Sequence, residues 1–257
     1  PEDADCVMIS APSSDSSREE RDLLADYTSE GGKLFAAAGP VPDSNLDNLY
    51  SLLADYGIEA NEGVVVEPDR EHHSLQGPLS LLATMSSHTI TDSLIEENYY
   101  PTMFISLGLT VPQDSESVTA LLTTSESAFS KLDGYDMTDY EKEDGDIDGP
   151  FALAVSIDTV GEGQIVWFTS SHFLDDMHNA VSSGANANLS MNALSSLIGE
   201  TEAVAIRSKS LNYNYLTISD STASMLKVLM IGAFPLAYLG VGAAVVLRRR
   251  RLQNEPV

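Results

Sequence analysis

Residues 5–38, DCVMISAPSSDSSREERDLLADYTSEGGKLFAAA, decide the fold. Residues 5–11 are a short apolar run closed by Pro12 and a serine-rich turn, the pattern of a strand covered on both faces. After Ser17, the stretch REERDLLADYTSEGG keeps Leu23, Leu24 and Tyr27 on one helical face, and Gly31 and Gly32 supply the stop. Residues 33–38 are the next strand, closed by Gly39 and Pro40. A strand, a helix and a strand in that order form a crossover unit, whose right-handed return sets the two strands parallel in one sheet.

The alternation continues outward. Residues 45–56 repeat the helical period through Leu46, Leu49, Leu52 and Leu53, with Gly57 ending it, and the VVV of residues 63–67 is the following strand. Residues 69–78 are polar and irregular and carry His72 and His73. Residues 79–86 fit a short helix or an extended segment equally well. Residues 102–109 and 117–124 read as strands. Residues 151–158 and 164–170, separated by Gly161, Glu162 and Gly163, read as a hairpin or as adjacent core strands. Residues 188–198 resume helical spacing. The expected architecture is α/β, a Rossmann-like or flavodoxin-like open and mostly parallel sheet over residues 1–202, with the late hairpin introducing a mixed element.

A different solvent governs the end of the chain. Residues 228–247, VLMIGAFPLAYLGVGAAVVL, carry no charge, and at 1.5 Å per residue they span about 30 Å, the hydrocarbon thickness of a bilayer. Arg248, Arg249, Arg250 and Arg251 follow at once and belong on the cytoplasmic side. The expected division is an extracytoplasmic domain at 1–202, a connector at 203–224, one transmembrane helix at 225–247 and a cytoplasmic tail at 248–257. This makes a single-pass protein of the cell membrane with its bulk extracellular or periplasmic. Pro235 sits mid-span, which membrane helices tolerate. Ala233, Ala237, Gly240 and Ala244 line one face, where a second membrane helix can approach closely. Pro1 in place of a methionine is read as the mark of a processed or partial chain.

Charge excludes some partners. The formal net charge is −26, and before Lys227 eight lysines and arginines face 38 carboxylates. Such a surface repels phosphate backbones, so nucleic acid is not an expected partner; an acidic surface also keeps a protein soluble. Cys6 is the single cysteine and sits in an apolar run, so no internal disulfide or zinc-cysteine cluster forms, and a buried core thiol is expected. No GxGxxG and no GxxxxGK[ST] string occurs, and no cofactor is expected.

Two patterns carry possible chemistry. Asp144, Asp146 and Asp148 followed by Gly149 match the first half of a calcium loop, but Val155 takes the twelfth position where an EF-hand needs a bidentate glutamate. A looser calcium site and a solvated acidic loop remain the two readings. Ser170 or Ser171 beside His172 and Asp175 is the best hydrolytic constellation, although neighbours on a strand point to opposite faces. His72 and His73 lack a companion at ligand spacing and read as solvated side chains.

Taken in order, CVMISAPSSDSSREERDLLADYTSEGGKLFAAAGP, NLDNLYSLLADYGIE with VVVEPD, SHTIT, GPFALAVSI, GQIVWFTSSHFL, NANLSMNALSSLIGE and the closing LKVLMIGAFPLAYLGVGAAVVLRRRR resemble the Gld-type (gliding-motility) auxiliary proteins of ABC transporters. The resemblance implies an ectodomain with a fold similar to flavodoxin-like and amidotransferase-like domains, no catalytic residues, and a permease and an ATPase as partners beside the lipid bilayer. Where such proteins often place an acid at the end of the GQIVWF strand, this chain has Ser170, Ser171 and His172.

The expected function is a noncatalytic, membrane-anchored auxiliary subunit of an ABC transport system, its ectodomain a binding or assembly module. The alternatives are a membrane-anchored hydrolase or amidotransferase-like enzyme and a transporter-independent glycan- or peptide-binding module. An open sheet places a ligand beyond the carboxyl ends of its strands, near residues 11–16 and 39–42.

Overall fold

Ser17 begins the first helix with a reciprocal pair of bonds: its hydroxyl accepts from the Glu20 N–H, and the Glu20 carboxylate accepts from the Ser17 N–H. This capping box satisfies two donors that a helix start leaves open. At the other end Gly31 takes φ +93°, the left-handed turn that stops the helix. The computed structural model describes residues 4–42, 44–112, 115–199 and 220–253, and the chain divides into two units, Pro1–Asn214 and Tyr215–Val257.

The first unit runs β1 (Val7–Ser10), α1 (Arg18–Ser29), β2 (Leu34–Ala37), α2 (Asp47–Ala54), β3 (Glu59–Ala60), β4 (Val64–Val66), β5 (Ser80–Leu82), β6 (Thr84–Met85), α3 (Asp92–Glu97), β7 (Thr102–Phe104), β8 (Leu109–Thr110), β9 (Val118–Thr123), β10 (Phe129–Lys131), β11 (Ile147–Asp148), β12 (Ala152–Asp158), β13 (Gln164–Phe168), α4 (Asp176–Val181) and α5 (Ala185–Ile198). The main sheet has the order β1-β2-β13-β12, after which β12 pairs with both β8 and β9; β3 lies beyond β8 and β6 beyond β9. Smaller sheets join β11-β10-β4 and β5-β7.

The crossover expected from residues 5–38 is present, with β1 and β2 parallel and Val7 opposite Leu34. The expectation of a mostly parallel sheet is corrected. β1–β2 and β2–β13 are parallel, while β13–β12, β12–β9, β12–β8, β8–β3 and β6–β9 are antiparallel. The cause lies in the connections. α1 crosses between the parallel strands β1 and β2, whereas the tight turn at residues 159–163 folds β13 straight back on β12.

Alternation sorts the core into two layers. Leu34, Ala36, Ile165 and Trp167 face α2 with its Leu49, Leu52 and Leu53, while Phe35, Ala37, Val166 and Phe168 face Leu189, Ala193 and Leu197 of α5. The all-buried LFAA of β2 reads as a central strand because helices cover both its faces. Asp15 caps α2 from a distance, its carboxylate accepting from the N–H groups of Asn48 and Leu49. Arg21 of α1 reaches Asp55 at 2.6 Å beyond the end of α2.

Residues 79–86, which fit a helix or an extended segment equally well in sequence, are extended, as β5 and β6. The single strand expected over 102–109 is broken into β7 and β8 at Ile105, whose φ of +49° is rare for a β-branched side chain.

In the second unit a continuous helical stretch runs over Asp220–Lys227, Val228–Ala233 and Phe234–Gln253, and its middle part is π-helical. Pro235 has no N–H to give residue 231, and the widened turn just before it accommodates that loss. Ser224–Arg249 is one helix long and apolar enough to cross a membrane; an 18-residue window within it has a mean hydropathy of 2.0, and none of that window is buried. Residues 203–219 of the expected connector lie outside the described residues.

Candidate functional site

The site gathers where β2 and β13, parallel neighbours, end side by side. Gly39 leaves β2 and donates its N–H to Ser171 Oγ at 2.9 Å. A Cβ on Gly39 would fall 2.7 Å from Ser171 N and 2.9 Å from Ser170 Cα, so only glycine lets the two exits run this close. Tyr50 of α2 donates its hydroxyl to Ala38 C=O at 2.7 Å and holds the same end from the helix side.

On the other flank, the Leu107 N–H donates to Thr169 C=O at 3.0 Å and Ser170 Oγ donates to Phe104 C=O at 2.5 Å. Ile105 is held between them in its left-handed conformation. Asn186 of α5 is fully buried: its amide oxygen accepts from the Thr102 N–H, and its amide nitrogen donates to the carbonyls of Thr102 and Phe173. One side chain thus fastens β7 and the segment after β13 to the same helix.

These restraints place three side chains together. His172 Nδ1 lies 2.9 Å from Asp175 Oδ2. His178, on α4, is 2% exposed, and its Nδ1 is buried with no hydrogen-bond partner. The Phe104 ring stacks on the His178 imidazole at 4.3 Å and meets the His172 imidazole edge-on at 5.6 Å. Burial pushes the His178 imidazole below its ordinary value, the neighbouring His172 adds to this, and Asp175 pulls the other way. Burial thus disfavours the charged form of His178. His172, Asp175 and His178 each offer one ligand atom, all within 4.8 Å of one another, and are the described residues that could hold a metal ion.

Of the hydrolytic constellation, His172 and Asp175 meet, through a turn rather than along a strand. The serines do not join them. The Ser170 hydroxyl donates a hydrogen bond to Phe104 C=O, Ser171 Oγ accepts from the Gly39 N–H, and neither hydroxyl bonds an imidazole. Sequence reasoning missed His178 and Phe104. The signal for the first was the spacing H-x-x-D-x-x-H across residues 172–178.

The three aspartates of the calcium pattern sit in a loop wrapped on a buried lysine. Lys131, 1% exposed, donates to Glu141 C=O at 2.7 Å and lies 3.7 Å from Asp139 and 3.6 Å from Glu143. Asp146 accepts from the N–H groups of Leu132 and Glu143, Asp148 pairs with Lys142, and Asp144 is exposed. Tyr135, in the same segment, donates to Pro40 C=O at 3.0 Å, which brings the loop to the end of β2.

Pro12, Ser14, Asp15 and Ser16 border an open groove of about 470 Å³ between β1 and α1, walled by Val7, Ile9, Leu23 and Leu24. It shares no residue with the histidine cluster. His72 Nδ1 lies 3.2 Å from Asp69 and His73 Nδ1 2.8 Å from Ser74 C=O. Cys6, expected in the core, is half-buried at its rim; burial pushes its thiol up against weaker opposing effects of the Phe35 backbone and Lys33. Ala233, Ala237, Gly240 and Ala244 are all exposed on their helix.

No protein-family model matches the chain, and neither does any curated protein sequence. Among solved structures, the chain is similar to the mmIFT52 N-terminal domain, with a TM-score of 0.54 at 15% identity over 76% of this chain and 77% of that one. This likeness is one of fold alone. A putative ThuA-like protein from Bacteroides uniformis aligns with a TM-score of 0.39 at 13% identity over 76% of this chain and 70% of that one. The exo-β-1,4-mannosidase Op5Man5 from Opitutaceae bacterium strain TAV5 aligns with a TM-score of 0.38 at 15% identity over 76% and 26%.

Proposed function

We propose that the protein is a noncatalytic, single-pass membrane-anchored subunit, with its α/β domain outside the cytoplasm acting as a binding or assembly module beside a membrane partner. The observation that carries this reading is the helix Ser224–Arg249, whose apolar window is not buried. Such a surface needs lipid or another membrane helix to cover it. The arginines from 248 to 251 orient the tail inward and the domain outward. The resemblance to Gld-type proteins is the ground for proposing an ABC permease with its ATPase as that partner.

A second reading, a membrane-anchored hydrolase, draws on the His172–Asp175 pair, which has the geometry that orients a general base. Against it stand the serine hydroxyls, both engaged with backbone. Affinity capture of the full-length protein from its native membrane in mild detergent tests the leading reading. A multi-span permease and an ATPase are the expected co-purifying chains. Recovery of the protein alone, under conditions that preserve other transporter complexes, contradicts it.

A further inference from the structure

We propose that His172, Asp175 and His178 form a three-ligand site for a divalent transition-metal cation, with zinc the best chemical match. The three ligand atoms lie within 4.8 Å of one another. A shared centre then sits no more than ~2.8 Å from each, and small rotations of His172 and Asp175 bring it to the ~2.0–2.2 Å of zinc–nitrogen and zinc–oxygen bonds. Both side chains have room to turn, at 37% and 51% exposed.

Two further observations separate this cluster from an ordinary surface ion pair. The first is the buried His178 Nδ1, which meets no donor or acceptor. A polar atom left so is costly unless something else fills its lone pair or takes its proton. The second is the behaviour of Asp175. It occupies the N-cap of α4, where a carboxylate normally accepts from the first turn's N–H groups, yet its side chain caps nothing. It turns to His172 instead and brings its charge into the cluster.

The rings are also set in advance. Phe104 packs against both imidazoles, and its carbonyl is fixed by Ser170, so the ligands are held from a rigid strand end. Two nitrogens and one carboxylate suit zinc or ferrous iron and disfavour calcium and magnesium, which select all-oxygen shells. Three protein ligands leave one tetrahedral position open for water or an incoming Lewis base. The acidic loop at residues 139–148 is the contrasting case, since Asp139, Glu143, Asp146 and Asp148 are engaged by Lys131, Lys142 and backbone N–H groups.

The test uses the full-length protein in detergent micelles, stripped with a chelator, dialysed, and titrated with Zn²⁺ in the presence of excess Ca²⁺, with bound zinc counted by elemental mass spectrometry. One Zn²⁺ per chain is expected, with affinity at least ~10-fold weaker in His172→Gln and in Asp175→Asn. Both positions are exposed enough to keep the fold, which circular dichroism verifies; the buried His178→Gln is the third variant. Absence of stoichiometric zinc, or zinc held equally well by the first two variants, overturns the site. Either result leaves the capture of membrane partners unaffected, so the two proposals fail separately.

Discussion

His172 Nδ1 lies 2.9 Å from Asp175 Oδ2 although Asp175 holds the N-cap of the helix that follows. The carboxylate serves the imidazole and not the helix. Asp175→Asn should therefore cost no more than about 0.5 kcal/mol in urea unfolding, where loss of a working cap costs about 1. A loss at or above the capping figure contradicts this assignment.

Gly39→Ala puts a methyl group 2.7 Å from Ser171 N and 3.0 Å from Thr169 C=O, both backbone atoms that side-chain rotation cannot move aside. The expected cost is about 1–3 kcal/mol, with a displaced exit of β13. Thermal unfolding of the variant checks the first. The His172 and His178 ring resonances in NMR should shift with the second. An unchanged midpoint would mean that the two exits can separate freely.

Lys131→Met keeps the buried stem and removes the ammonium that Asp139, Glu143 and Glu141 C=O surround. The two carboxylates are more than half exposed and water takes over their solvation, so the loss should stay near 1–2 kcal/mol. The loop should become the first site of proteolytic nicking. Limited proteolysis followed by mass spectrometry reads this, and an unchanged cleavage pattern counts against the anchoring role of Lys131.

Burial works against ionisation of Asp146, but the N–H bonds from Glu143 and Leu132 and the charges of Lys131 and Lys142 outweigh it and hold the carboxyl below its ordinary 3.8. The stability it contributes is present above that value and lost as pH falls through the lower folded one. Asp146→Asn should remove this part of the acid limb of a stability–pH curve. Since the oxygens of Asp146 are already taken, added Ca²⁺ should leave the melting temperature unchanged. A saturable calcium stabilisation abolished by Asp144→Asn or Asp148→Asn would restore the calcium reading.

The early fold was readable because its signals are local. Ser17 with Glu20 marks a helix start, Gly31 a stop, and Leu34 to Ala37 a strand covered on both faces; no distant residue is needed to recognise any of these. Sheet direction was only partly local. The turn at residues 161–163 marks the antiparallel β12–β13 hairpin, one of the two readings made of that pair, but nothing in residues 164–168 says that β13 pairs parallel with β2 on its other edge. The strands at Thr84–Met85, Phe129–Lys131 and Ile147–Asp148 and the helices at Asp92–Glu97 and Asp176–Val181 are too short for a period to emerge. At the site, His172 and Asp175 were visible as neighbours. His178 was hidden because the spacing crosses from a strand exit into a helix, and Phe104 because it arrives from 68 residues earlier, aimed by the kink at Ile105.

The proposed anchoring of Ser224–Arg249 in a bilayer underlies the reading of the protein as a membrane-anchored subunit, and one experiment addresses it directly: alkaline carbonate extraction of native membranes, followed by protease treatment of intact cells stripped of their wall. The account predicts that the protein stays in the membrane pellet, that the α/β domain is digested from outside, and that the arginine-ended tail is protected. Release into the carbonate supernatant, or an α/β domain that survives until the membrane is opened, would contradict it.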